Sequence, residues 1–179
     1  MSKRIRLWLI AALALCAAAA VGVTLSFMFK KAEKTTTFVP AEVTCEVKES
    51  LLSGVKSDVC VKNTGNAAAY LRIRLVSYYV DANGDIAGRV SSQYPTLTLQ
   101  NGWIAGADHT YYYPTPVDPD AKTGILCDPI TLGTVKLADG KTVYQVLEVF
   151  AEAIQAEPVS AVREAWNVTV SGTEITPAP

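Results

Sequence analysis

The sequence predicts an all-β domain, a sandwich or barrel, carried behind an apolar N-terminal segment. Three observations lead there. Turn signals recur about every ten residues after Ser53. The runs between them are rich in Val, Thr and Tyr and alternate apolar with polar side chains, the period of a half-buried strand. Ahead of them, Leu7 to Phe29 is free of charged residues, with Lys3, Arg4 and Arg6 before it and Lys30, Lys31 and Lys34 after it.

That apolar run has the composition of an export signal and the length of a membrane span. A secretory signal needs an apolar stretch of about 7–15 residues, and a spanning helix roughly 17–25. Residues 1–29 therefore read as an N-terminal apolar helix, either signal peptide or transmembrane anchor. Ala17 to Ala20 and the region near Ser26 both offer small-residue cleavage sites, and retention is equally compatible with the sequence. Basic residues flank both ends, so no charge asymmetry sets the orientation. In every case the remainder is expected outside the cytoplasm, secreted or held at the cell membrane, with signal peptidase as its first partner. Cys16 lies inside the run, and Leu15 before it does not suit lipid attachment.

Residues 30–40, including Thr35-Thr36-Thr37-Phe38-Val39-Pro40, read as an extended linker, and the β-sandwich ectodomain is expected over residues 41–172. Glu42 to Glu49 alternates Val43, Cys45 and Val47 against polar neighbours, and Val55 to Asn63 repeats this with Val55, Val59 and Val61. Asn63-Thr64-Gly65-Asn66 is a turn. A long strand from Ala68 to Asp81 sends Leu71, Ile73 and Leu75 one way and Arg72, Arg74 and Tyr78 the other. Asp81 to Asp85 holds the Asn-Gly pair of tight hairpins. Further strands are expected over Thr96–Leu99, Trp103–Ile104, Thr110–Tyr113 and Gly124–Leu132, the last after a loop with Pro114, Pro116 and Pro119.

Val143 to Ile154 satisfies two patterns at once. Val143, Val146, Leu147, Phe150, Ala151 and Ile154 match helical spacing, and the β-branched content equally suits a strand buried on both sides. Pro158 and Ser160 introduce a short helix, Ala161 to Trp166. Asn167 to Ser171 is a last strand, and residues 173–179 are expected to be a disordered tail.

Charge and cysteine content narrow the function classes. From Phe38 onward ten Lys and Arg stand against sixteen Asp and Glu, a net charge near −6. Nucleic-acid binding needs clustered basic residues and is excluded as a partner class. Cys45, Cys60 and Cys127 permit one disulfide among three possible pairings. Alternation places Cys45 on the face of Val43 and Val47 and Cys60 opposite Val59 and Val61, so a Cys45–Cys60 bridge would need a bulge.

The catalytic inventory is thin. His109 is the single histidine and sits beside Asp108 in a turn, where a solvated surface role is expected. Zinc-protease, serine-nucleophile and phosphate-loop patterns are missing, so no catalytic residue, no metal ligand and no cofactor is assigned. Asp81, Asn83 and Asp85 alternate like the oxygen ligands of a calcium loop, but Gly84 and Ser92 stand out of step with that pattern and a hairpin is expected. Trp103, Tyr111 and Tyr113 are the candidate binding residues. Tyr111 and Tyr113 share a strand face and would form a carbohydrate or protein platform if exposed, or cover the core edge if not. Asn167-Val168-Thr169 fits a glycosylation sequon, meaningful only in a eukaryotic secretory pathway.

Phe38 to Cys45, then Val59-Cys60-Val61-Lys62-Asn63-Thr64-Gly65-Asn66 through Arg72, resemble the TasA/camelysin-type exported proteins of Gram-positive bacteria, whose leaders are handled by the SipW class of signal peptidase. Tyr111 to Tyr113, the Pro116 to Thr123 loop, and Ala151 to Ala156 through Trp166 are similar to further signatures of that group. The resemblance implies a jelly-roll-like β-sandwich with one short helix at the cell surface, in some members a fibre-forming subunit of biofilm matrix. It also implies that Val143 to Ala156 is a strand. Ser26-Phe27 stands where leaders of the group often carry Ala-Tyr. Camelysin has been classed as a metallopeptidase, but no matching ligand motif stands here to carry that over. The expected function is structural association through an exposed strand edge, with another copy or a surface or matrix partner, and not catalysis. A metal-dependent peptidase and a carbohydrate-binding module are the alternatives.

Overall fold

A computed structural model describes residues 40–87, 90–91 and 93–177. The expected N-terminal helix, its cleavage and residues 30–39 of the linker lie outside them. Residues from Ala41 onward form one compact unit. Its chain order is β1 (Cys45–Leu52), β2 (Val55–Asn63), β3 (Ala69–Val80), β4 (Ile104–Ala105), β5 (Thr110–Tyr112), β6 (Ile130–Thr131), β7 (Thr134–Lys136), β8 (Thr142–Gln155), α1 (Val159–Trp166), β9 (Val168–Ser171) and β10 (Glu174–Pro177). The expected all-β class with one short helix holds.

Three antiparallel sheets arise from these strands. One has the order β1-β2-β6, a second the order β4-β5-β3-β8-β7, and β9 with β10 makes a hairpin. The first two sheets share a core in which Val59 and Val61 of β2 meet Leu71, Ile73 and Leu75 of β3 and Leu147 of β8. Strand alternation explains this, because every second side chain of β3 points inward. The opposite face of β3 and β5 carries Tyr70 and Tyr112, which are covered by Val162 and Trp166 of α1 and by Val168, Val170 and Ile175 of the hairpin. The domain therefore has two apolar layers, one on each face of the second sheet around its central strand β3.

β8 is a strand along its whole length, paired with β3 from Tyr144 opposite Val80 to Gln155 opposite Ala69. Odd-numbered residues such as Val143 and Leu147 face the core, while Phe150 and Tyr144 on the other side are half exposed. Apolar residues on both faces produce the pattern that also fits a helix. The tail expected from residue 173 onward is corrected. Glu174–Pro177 pairs with Val168–Ser171, and Ile175 is buried, so the second core requires it. The strand expected over Gly124–Leu132 is reduced to Ile130–Thr131 and a bridge between Leu99 and Cys127.

One bulge changes what β2 presents. Pairing runs Lys48 opposite Cys60, then shifts so that Ser50 stands opposite Ser57. Asp58 absorbs the extra residue with a positive φ of 57°. Side chains before the bulge swap faces. Val55, expected inward with Val59, is only half buried, and Lys56 is buried instead at 4 % exposure. A buried ammonium needs a partner, and Glu49 provides it at 2.5 Å.

The Asn63-Thr64-Gly65-Asn66 turn is a structural junction. The buried Asn63 carboxamide donates to the carbonyls of Ala67 at 2.9 Å and Val117 at 2.8 Å, and its oxygen accepts the Gly65 N–H at 3.0 Å. Gly65 is required by close approach, since a Cβ there would lie 2.2 Å from the Glu42 carbonyl oxygen. Replacing Asn63 by Ala leaves three backbone groups without these partners. Asn63→Ala is expected to cost about 2–4 kcal/mol in urea denaturation, against less than about 1 kcal/mol for Thr64→Ala on the exposed side of the same turn.

Candidate functional site

The site that the strands build lies along one side of the domain. β1 pairs only with β2, so its other edge has no strand partner among the described residues. β8 is paired by β7 only over Thr142–Tyr144, and Gln145 N–H still donates to the Gly133 carbonyl at 2.8 Å. From Val146 to Gln155 that edge of β8 is also without a strand partner among the described residues. β1 packs against β8, which brings the two edges together.

A cleft of about 480 Å³ lies there, lined by Glu49, Leu51, Lys56 and Leu132 and by β8 from Gln145 to Phe150. Its rim is unusually apolar for a surface, with Leu51 at 61 % and Phe150 at 50 % exposure. The Lys56–Glu49 pair sits in its wall. Such a cleft offers unpaired N–H and C=O groups along two edges and apolar surface between them. It can accept an extended peptide by strand addition.

The aromatic residues selected from the sequence lie elsewhere and face inward. Trp103 is buried, donates its indole N–H to the Gly124 carbonyl at 3.0 Å, and meets the Tyr113 ring edge-on at 5.3 Å. Tyr111 stands opposite Ile73 on the core side, and burial raises its hydroxyl pKa. Trp103, Tyr111 and Tyr113 thus pack against the core and do not present the shared exposed face that a platform requires. Tyr112, between the two tyrosines, points the other way and meets Trp166 edge-on at 5.9 Å.

The three described cysteines are free thiols. Cys45 pairs with Asn63 on the inward face and Cys60 stands opposite Lys48 on the outward face, the separation that alternation predicts. Burial raises the Cys45 thiol, and it pushes Cys127 up to about 11, with Asp128 adding to the effect.

His109 is exposed, and its ring stacks on Tyr94 with centroids 3.3 Å apart. In the Asp81 turn, one carboxylate oxygen accepts the N–H groups of Asn83 at 2.8 Å and Asp85 at 3.1 Å, which is hairpin chemistry. Among the described residues no group of three or more His, Cys, Asp or Glu side chains is placed to hold a metal ion. No described helix is long and apolar enough to cross a membrane. Comparisons with protein-family models, with curated proteins and with solved structures found no match.

The sequence carries a signal for one wall of the cleft, the doubly apolar β8, but not for the other. Lys56 enters it only because of the bulge at Asp58. Elsewhere, the buried Cys127 thiol makes stability depend on pH. Its pKa is raised above the ordinary value near 9, so its contribution is fully present below pH 9 and is lost as pH rises through about 11. The loss should be on the order of 1–2 kcal/mol, the lower part of what such a shift allows, because nearby solvent screens the thiolate. Comparing unfolding of the wild type and Cys127→Ala between pH 8 and 11 should show a smaller decline in the variant. Native Cys127 should also resist alkylation at pH 8 until denaturant is added.

Proposed function

We propose that this chain is an exported cell-surface or biofilm-matrix structural protein that acts by protein–protein association and not by catalysis. The observation that carries this reading is the pair of unpartnered edges, β1 and Val146–Gln155 of β8, flanking one apolar cleft among the described residues. Long open edges invite intermolecular pairing, and proteins that must stay monomeric commonly block them with charge, proline or a covering loop. Here Leu51, Val146 and Phe150 line that position, and two of its three charged residues, Glu49 and Lys56, neutralise each other as an ion pair.

The mechanism is strand addition. An extended segment from another copy, or from a surface or matrix partner, pairs with the open edge and seats alternate side chains in the cleft. The apolar run Leu7–Phe29 supports delivery across a membrane, and its cleavage or retention would decide between a released subunit and a tethered one. The TasA/camelysin resemblance supports the same reading and a jelly-roll arrangement of the sheets.

The test is association of the purified full-length chain. Analytical ultracentrifugation should show concentration-dependent assembly, and cross-linking on intact cells should recover a second copy or a surface protein. Leu51→Glu combined with Phe150→Lys, both at exposed positions, should weaken assembly at least tenfold, about 1.4 kcal/mol or more, with little loss of stability. A strictly monomeric chain at high concentration, with no partner recovered from cells, would overturn the proposal.

A further inference from the structure

On the outer face of the second sheet, Arg72 and Arg74 project side by side from β3, two residues apart. Their circumstances differ sharply. Arg72 gives Nε at 2.9 Å and Nη2 at 2.6 Å to Glu152 Oε2, and its guanidinium lies 4.7 Å above the Trp166 ring. It is paired and stacked, and serves to pin α1 onto the sheet. Arg74 is the one exposed residue of β3, and its side chain has no ion pair or hydrogen bond among the described residues.

The Arg74 side chain borders a polar pocket of about 260 Å³. Asp108, Thr110, Tyr112, Asn167 and the already paired Arg72 complete its polar lining, with Trp166, Ala107 and Pro177 as the apolar wall. The rim carries left-handed backbone at three residues, one of them the C-cap of α1. Asp108 and His109 occupy the two central positions of the turn closed by Thr110 N–H on the Ala107 carbonyl at 3.0 Å, and both have positive φ, 52° and 56°. Asn167 is likewise left-handed at 50°. Tight turns of this kind favour Asn-Gly, and a Cβ in this conformation crowds the following carbonyl. Strain kept at the rim of a pocket is a pointer to use.

We propose that this pocket is a binding site for a small carboxylate group, with Arg74 as its anchor. A free guanidinium presents a planar fork that matches a carboxylate in two parallel hydrogen bonds. Asp108 on the same rim repels a phosphate dianion about twice as strongly as a monocarboxylate and accepts hydrogen bonds from hydroxyl or amide groups of the same ligand. Asn167 and Thr110 add further polar contacts. The volume suits one sugar or amino-acid unit and falls below the roughly 300–1,000 Å³ of larger ligand pockets. A uronic sugar and an acidic side chain of a peptide both present such a carboxylate, and experiment distinguishes the two sources. The site shares no lining residue with the β1–β8 cleft, although Arg74 stands opposite Phe150 across β3 and β8, and it does not depend on the association reading.

The full-length chain is titrated by calorimetry with sodium glucuronate, N-acetylaspartate, glucose and inorganic phosphate. Saturable millimolar binding of glucuronate or N-acetylaspartate, exceeding that of glucose and phosphate, supports the proposal, and the better of the two identifies the source. Arg74→Gln should weaken that binding at least tenfold, and Arg74→Lys should fall between it and the wild type. Unchanged thermal unfolding confirms that these exposed variants are folded. Absence of saturable carboxylate binding, phosphate binding of equal strength, or full binding by Arg74→Gln would overturn it.

Discussion

The buried carboxamide of Asn63 holds together the corner from which both sheets are organised. It ends β2, ties the turn into β3 through Ala67, and reaches the Val117 carbonyl on the proline-rich loop. Its own backbone completes the junction, donating to Ala121 and accepting from Asp120, each at 3.0 Å. The loop is further drawn in where Val117 and Ala69 exchange two backbone bonds, at 2.8 and 3.1 Å, and where the Thr123 hydroxyl accepts the Val61 N–H at 3.0 Å. One fully buried polar side chain thereby joins the two sheets and a long connection at a single corner. An apolar residue of the same size would leave those carbonyls and the Gly65 N–H without their bonds.

With that corner closed, two long strand edges that start beside it stay open. β2 is held between β1 and β6, and β3 between β5 and β8, so these interior strands of both sheets are satisfied. Among the longer described strands, the open edges of β1 and most of β8 flank the cleft. The buried Lys56 in its wall is a consequence of the bulge, and its pairing with the part-exposed Glu49 offsets the desolvation of the ammonium. On the far face, α1 and the β9–β10 hairpin cover Tyr70 and Tyr112, with the Tyr70 hydroxyl donating to the Thr173 carbonyl at 2.9 Å. That cap leaves Arg74 uncovered beyond its border.

Much of the fold is legible in local patterns, for identifiable reasons. β3 alternates along its length, and β2 from Val59 onward, because one face of each is apolar, and spacing places both strands within one residue of their ends. The helix expected from Ala161 begins at Val159, after Pro158 at the N-cap. β8 reads ambiguously because its outer face also carries Val146, Phe150 and Ile154. The C-terminal strand escapes detection because four residues with a single buried Ile175 show no period of their own. The candidate aromatics illustrate the same limit. Tyr111 and Tyr113 do share a face, but whether that face meets water depends on which sheet lies above it.

Local spacing and turn chemistry were enough to set the β class, the turn at Asn63 to Asn66 and the inward and outward sets of β3, since each follows from neighbours a few residues apart. Composition set the apolar run Leu7–Phe29 and the acidic balance of the remainder. The three-dimensional arrangement settled the shift of register at Asp58, the burial of Lys56, the open edges of β1 and β8, and the unpaired state of Arg74 beside a paired Arg72. These depend on which strands become neighbours, a choice made by packing between segments far apart in the chain, and no local period records it.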